Sequence, residues 1–265
     1  MMKVFAYVLC YNEAQILPFA MRNLLSFADK VTVYDNMSTD SSREIAAAHG
    51  AEVVTFDTDG WIDNFAYTDI REHCWKKDRA AADWVVVCDM DEFLYSAEGV
   101  RETLATLRES GTTLPSTNGF RMVSGALPPD DGSLQLYSVA KRGDYAPNFS
   151  KPSVFDPKRI REIGYSSGAH YCNPIGDVVT GVEPEPMQGD SPRYTILMKE
   201  RLDRCALSIL HYNSFGWEYY KWRLMKLSAK PYRGSDKNPY AELLASVTEA
   251  DFSKHNDPER YPIIL

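Results

Sequence analysis

Asp89-Met90-Asp91 closes the apolar run Trp84–Cys88 and is followed at once by Glu92-Phe93. Two carboxylates spaced by two project to the same side of an extended backbone. Such a pair offers the hard oxygen ligands that Mg²⁺ or Mn²⁺ prefers, with positions left for water and phosphate oxygens. The same triplet recurs as Asp57-Thr58-Asp59. The strand before and the acidic-aromatic step after distinguish 89–91; without them the pair would read as a solvated strand end. Asp35 and Asn36 end a second run, VTVYD, where a carboxylate and an amide can hydrogen-bond a ribose or a base edge. His170, in Gly168-Ala169-His170-Tyr171, and His211, in Ile209-Leu210-His211-Tyr212, each follow apolar stretches. Either can complete a metal shell or touch a phosphate, and a satisfied core histidine is the structural alternative for both. His49 reads as a helix end, His255 as surface and His73 as structural. Arg71, Lys76 and Lys77 precede the acidic triplet, and Lys221, Arg223 and Lys226 interleave with Trp217, Tyr219, Tyr220 and Trp222; these cations are candidates for phosphate contacts.

The elements that must carry these groups follow from periodicity. Lys3–Cys10, Val31–Asp35, Ala51–Phe56 and Trp84–Cys88 are near-continuous apolar or β-branched runs, as expected of strands covered on both faces. Between them, Glu13–Phe27, Ser41–His49 and Asp69–Ala82 suit helices. Pro18 sits in or kinks the first, Ser38–Ser41 supply N-cap chemistry for the second, and Gly50 marks its end. The repetition predicts a parallel sheet with right-handed crossovers, and ligands bind such sheets at the carboxyl ends of the strands. Ala97–Ser110 reads as a further helix. Beyond Gly111 come short strands at Gly119–Val123 and Lys151–Phe155, a Gly-, Pro- and acid-rich loop over 176–193, a strand at Leu207–His211 and an aromatic helix over Phe215–Ala229. One more helix is expected in Tyr240–Leu265. No linker or repeat interrupts the chain, so a single α/β domain over 1–265 is expected, with halves at about 1–111 and 112–229 and a C-terminal extension over 230–265.

Composition narrows the partners. The 265 residues carry 29 Lys+Arg against 37 Asp+Glu, a net charge of −8, with 44% hydrophobic residues. That is ample for a core, and the acidic balance disfavours a nucleic-acid binder or a polybasic membrane surface. No apolar run approaches the roughly 18 residues that span a bilayer, and the opening residues read as a strand rather than a signal peptide. Peripheral membrane association stays compatible with this. Cys10, Cys74, Cys88, Cys172 and Cys205 are scattered and odd in number, so reduced thiols in a cytoplasmic protein are expected, with Cys10 and Cys88 buried. The absence of GxGxxG after the first strand, and of GxxxxGK[ST], disfavours a dinucleotide fold and a P-loop.

In order along the chain, CYNEAQILPF, VYDNMSTDSS, REHCWKK and ADWVVVCDMDEFLY resemble the donor half of GT-A-type glycosyltransferases, closest to the family-2-like and DUF23/family-92-like group. KPSVFDP, the GAH tripeptide and LHYNSFGWEYYKWR resemble its C-terminal landmarks. The resemblance covers residues 4–95 and, in patches, 150–225; Glu72 stands where related sequences carry Asn. It implies a mostly parallel sheet flanked by helices and a nucleotide diphosphate sugar donor, a UDP-sugar foremost. It further implies Mn²⁺ or Mg²⁺ as cofactor and a glycan or lipid-linked acceptor, as in cell-surface polysaccharide synthesis. Asn12 and Glu13 would lie near the nucleotide, Asp35 and Asn36 at base or ribose, Lys76 near the phosphates, and Asp89 and Asp91 at ribose and metal. His211 would complete the metal shell, with His170 as the alternative or as a contact to acceptor or diphosphate. An inverting reaction needs a base near the acceptor hydroxyl. Asp130, Asp131, Asp144 and Glu183 are the candidates, and sequence does not separate them. A sugar-phosphate nucleotidyltransferase and a non-catalytic carbohydrate-binding protein are the competing readings. The first would carry a Gly-rich basic loop after its first strand, and CYNEAQ is not one.

Overall fold

The computed structural model describes residues 1–180, 206–233 and 235–265. Strands β1 (Val4–Cys10), β2 (Lys30–Asp35), β3 (Glu52–Thr55) and β4 (Trp84–Asp89) lie parallel in the order β3-β2-β1-β4. Helices α1 (Leu17–Leu25), α2 (Ser42–Ala48) and α3 (Asn64–His73) connect them. The fold is mixed α/β, with a mostly parallel central sheet flanked by helices, as the sequence predicts. Even-numbered residues of β1 (Val4, Ala6, Val8, Cys10) enter one core with α1, and Tyr7 enters a second core with Trp75, Phe155 and Cys172. Burial on both faces is why these strands read as unbroken apolar runs. Chain order reverses at the β1/β4 boundary, where crevices open in such sheets. The register pairs Cys10 with Asp35 and Leu9 with Asp89, so the polar residues after each strand arrive at one edge.

A second sheet begins two residues after the first. β5 (Glu92–Tyr95) follows β4 across Met90-Asp91, and the helix α4 (Val100–Glu109) follows β5. The strands β6 (Thr117–Val123) and β7 (Arg142–Tyr145) belong to this second sheet. β8 (Val154–Phe155) returns antiparallel to β4, while β9 (Ile160–Glu162) and β10 (Ile175–Gly176) pair apart. β11 (Leu207–His211) completes the order β5-β11-β6-β7, antiparallel to β5 and parallel to β6. Helices α5 (Gly216–Ser228), α6 (Pro239–Ser246) and α7 (Glu249–Asn256) close the described chain.

Several boundaries differ from expectation. α1 starts at Leu17 rather than Glu13, with Pro18 in its first turn, where a missing N–H costs nothing. α3 starts five residues before Asp69, capped by the Asp63 carboxylate on the amides of Phe65 and Ala66, and ends at His73. β5, read from sequence only as an acidic-aromatic step, is a strand. The tail holds two helices, not one. Gly50 follows the last turn of α2 with φ +84°, as expected of its end. Ser41, at the N-cap of α2, makes no side-chain cap bond; Ser38, Asp40 and Ser42 instead accept the amides of Asn12, Ala14 and Glu13. Their hydroxyl and carboxylate groups hold the loop after β1. Gly176 is the end of a strand, and Val179 O accepts from the Thr113 and Leu114 amides, so 176–193 does not begin as a free loop. The remainder of that loop, with Glu183, lies outside the described residues, as does Cys205. Cys10, Cys74, Cys88 and Cys172 are buried free thiols.

Candidate active site

The carboxyl ends of β1 and β4 and the start of the loop after β2 open into a cavity of about 430 Å³. Glu13, Asn36, Asp89 and Asp91 line it, as do His170 and His211, joined by Tyr67, Arg71, Lys151, Arg223 and Tyr240. Volumes of this order hold small-molecule ligands.

The β5–β11 ladder sets the metal candidates. His211 pairs with Glu92 in register, and the Tyr212 amide donates to Asp91 O at 2.7 Å. This brings His211 Nε2 to 3.4 Å from Asp91 Oδ2, with the two side chains 13% and 7% exposed. Burial lowers the His211 pKa, against the pull of Asp91 and Glu92, so the ring stays neutral and able to ligate. Arg223 Nη2 stands 2.9 Å from the same Asp91 oxygen. Yet Asp91 Oδ2 and His211 Nδ1 are both buried without a hydrogen bond. Burial would raise the Asp91 carboxyl, but Arg223 and His211 outweigh it and hold it below the usual range.

Asp89 is engaged differently. Arg71 Nη2 donates to Asp89 Oδ1 at 2.6 Å, and Lys151 Nζ lies 3.7 Å from Oδ2. Burial opposes ionisation here too, but Arg71 and Lys151 keep the carboxyl well below its ordinary value. Lys151 also pairs with Glu92, a carboxylate only 2% exposed. Lys226 Nζ stands 2.5 Å from Glu13 and donates to Tyr11 O and Asn12 O. Burial pushes Glu13 up and Lys226 down, each restrained by the other's charge. Four cations thus face four carboxylates around the described cavity.

Other predicted site residues go elsewhere. Asn12 adopts φ +50°, and its Oδ1 accepts from the Thr39 amide at 2.7 Å, so its side chain braces a loop. Asn36 reaches the cavity with its Nδ2 held by Thr58 and the Tyr67 hydroxyl. Asp35 is fully buried, accepts from the Ser38 amide at 2.9 Å and does not line the cavity. Lys76 does not reach the cavity either. α3 ends before it, and it pairs with Glu162 in the turn that follows. Arg71, one helical turn earlier, takes the wall. Asp130 pairs with Arg22, Asp131 caps the amides of Ser133 and Leu134, and Asp144 is the cross-strand partner of Arg121. None of these three lines the cavity, and each is accounted for by local structure. Lys151 received no role from sequence. Its one signal was position, a lone charge before the apolar Val154–Phe155 in KPSVFDP.

No protein-family model matches the chain, and no curated protein sequence matches it. Solved structures overlap part of it. Glucosyl-3-phosphoglycerate synthase from Mycobacterium tuberculosis, in complex with Mn²⁺, UDP and glucosyl-3-phosphoglycerate, is similar at a TM-score of 0.31 and 18% identity, over 45% of this chain and 44% of that one. CMP:2-keto-3-deoxy-manno-octonic acid synthetase complexed with CTP is similar at 0.32 and 14%, over 46% and 54%. This chain spans less than half the length of the mycobacterial structure it matches. Among the described residues, no helix is long and apolar enough to cross a membrane.

Proposed function

We propose that this cavity binds a nucleotide diphosphate sugar with a divalent cation and transfers the sugar to a hydroxyl of a glycan or lipid-linked acceptor. The observation that carries the reading is the buried Asp91–His211 pair, set among Arg71, Lys151 and Arg223 where the sheet reverses its strand order. Among the described residues no three His, Cys, Asp or Glu side chains form a metal cluster by themselves. Two protein ligands suffice when substrate oxygens supply the rest, which is how Mg²⁺ is commonly bound. Asp91 and His211 suit that set, being adjacent and buried, with His211 Nε2 at 3.4 Å from an Asp91 Oδ2 that lacks a hydrogen bond. Asp89 would act through Arg71 and Lys151 instead.

A bound Mn²⁺ or Mg²⁺ supplies charge neutralisation for a departing diphosphate. The chain's own groups do the remainder. Arg71, Lys151 and Arg223 present fixed positive charge to phosphate oxygens, and Phe56, Ile62 and Tyr67 offer apolar walls beside Asn36, whose amide is braced by Thr58 and Tyr67. The family resemblance makes a UDP-sugar the first donor to test. The chain should release UDP from a UDP-sugar in the presence of Mn²⁺ and lose that activity with EDTA. Asp91→Asn should lower the rate about 100-fold or more, in the range of lost electrostatic stabilisation. Release of pyrophosphate from a nucleoside triphosphate plus sugar phosphate would point instead to a nucleotidyltransferase, and sugar binding without release of UDP to a binding protein.

A further inference from the structure

The proposed transfer requires something to take the acceptor's proton, and the cavity's carboxylates are poorly placed to do so. Glu13, Asp89 and Asp91 line it, but each already faces a lysine or arginine. Asp130, Asp131 and Asp144 lie away from it. His170 differs from all of them. Its Nδ1 lies 2.8 Å from Asn148 O, and a carbonyl only accepts, so Nδ1 carries the proton and the lone pair is left on Nε2. That Nε2 edge lies over Gly168, whose own added Cβ would come within 2.8 Å of it, and both residues form cavity wall.

The turn is built to hold the ring there. Gly168 and Ala169 take φ +70° and +54° in succession; for alanine this is a strained backbone that persists only when its surroundings impose it. The surroundings do. The Ser166 amide donates to Tyr171 O, the Tyr165 hydroxyl donates to Pro152 O, and the Glu72 carboxylate of α3 accepts the amides of Gly164 and Tyr165. Phe149, the residue after the carbonyl that orients His170, lies against the His211 ring at 4.1 Å. One short turn, Pro147–Phe149, therefore touches both histidines.

On the transferase reading above, we infer that His170 is the general base for the acceptor hydroxyl. Nε2 takes the hydroxyl proton as the acceptor oxygen bonds to the anomeric carbon. The bond from that carbon to the diphosphate oxygen breaks, and its electron pair leaves on the nucleoside diphosphate. The imidazolium then returns its proton to water. This is a single displacement, so the product's anomeric configuration is inverted. The charged and titratable groups sharing the cavity are Glu13, Arg71, Asp89, Asp91, Lys151, His211 and Arg223, with Tyr67 and Tyr240, while Glu72 of α3 holds the turn itself.

His170→Asn is the informative variant. Its side-chain amide can still donate to Asn148 O, which keeps the turn, while the Nε2 lone pair is gone. With UDP-glucose and Mn²⁺, and water or a soluble glucoside as acceptor, kcat should fall about 100- to 10,000-fold, the usual span for a lost general base. The low-pH limb of the wild-type rate profile should disappear, added imidazole should restore part of the rate, and the thermal shift given by UDP plus Mn²⁺ should be unchanged. If His170→Asn keeps kcat within about threefold and the same pH profile, or if the wild-type product retains configuration, the assignment is overturned while the transferase reading stands. If the wild-type chain releases no UDP from any UDP-sugar, that reading fails and this one with it.

Discussion

Lys151 holds two carboxylates at once, with its ammonium on Glu92 and near Asp89 and only 6% of its side chain exposed. A buried charge is tolerable only while paired, so losing one partner costs more than the pair itself contributes. Lys151→Met should therefore cost about 3–5 kcal/mol of stability, read by urea denaturation, because Glu92 is left buried without its cation. The Glu13–Lys226 pair permits a sharper test. Burial raises the Glu13 pKa above 4.5 even with Lys226 present. Lys226→Met should raise it further, so the native state holds a proton that the unfolded state has lost. Stability then falls as pH rises through that window. The loss in melting temperature relative to wild type should be larger at pH 8 than at pH 5, and equal losses would contradict the pairing.

At the scale of elements, the site is a consequence of register. Parallel pairing of β1 with β2 and β4 brings three strand ends together, and antiparallel pairing of β5 with β11 brings His211 beside Asp91. The first of these was legible in the sequence, because apolar runs ending in polar residues announce both strands and their ends. The second was not. Glu92–Tyr95 is four residues long and its partner lies more than a hundred residues away, so no local pattern signals the pairing. The reading that favoured Lys76 over Arg71 failed for a related reason. The helix signal over 69–82 merged α3 with the turn after it, whereas α3 ends at His73 and Lys76 begins a separate tighter turn. Ser38–Ser41 looked like a cap; Asp40 does accept the Ser42 amide at the start of α2, but Ser38 and the other Asp40 oxygen take the chain-distant amides of Asn12 and Ala14. β6 supplies a test at this scale. A Cβ on Gly119 would fall 2.1 Å from the Phe149 carbonyl carbon, so Gly119→Ala must push the turn that touches both histidines. Overpacking of this kind costs about 1–3 kcal/mol. The variant should lose transfer activity more than it loses binding of UDP with Mn²⁺.

For the whole molecule, the net charge of −8 first served to disfavour polyanion-binding surfaces. The structure localises its meaning. Around the cavity the carboxylates are matched one for one by cations, so the acidic excess of the sequence does not come from these four pairs. A pocket balanced in this way does not repel a diphosphate as the whole protein would, and an added divalent cation shifts it towards binding one. The most direct measurement is calorimetric titration of UDP into the protein with Mn²⁺, with EDTA, and with Asp91→Asn in Mn²⁺. The account predicts binding in Mn²⁺ that weakens at least tenfold in EDTA and that Mn²⁺ no longer strengthens in Asp91→Asn. Binding of equal strength in all three, or none in the wild-type protein with Mn²⁺, would contradict it.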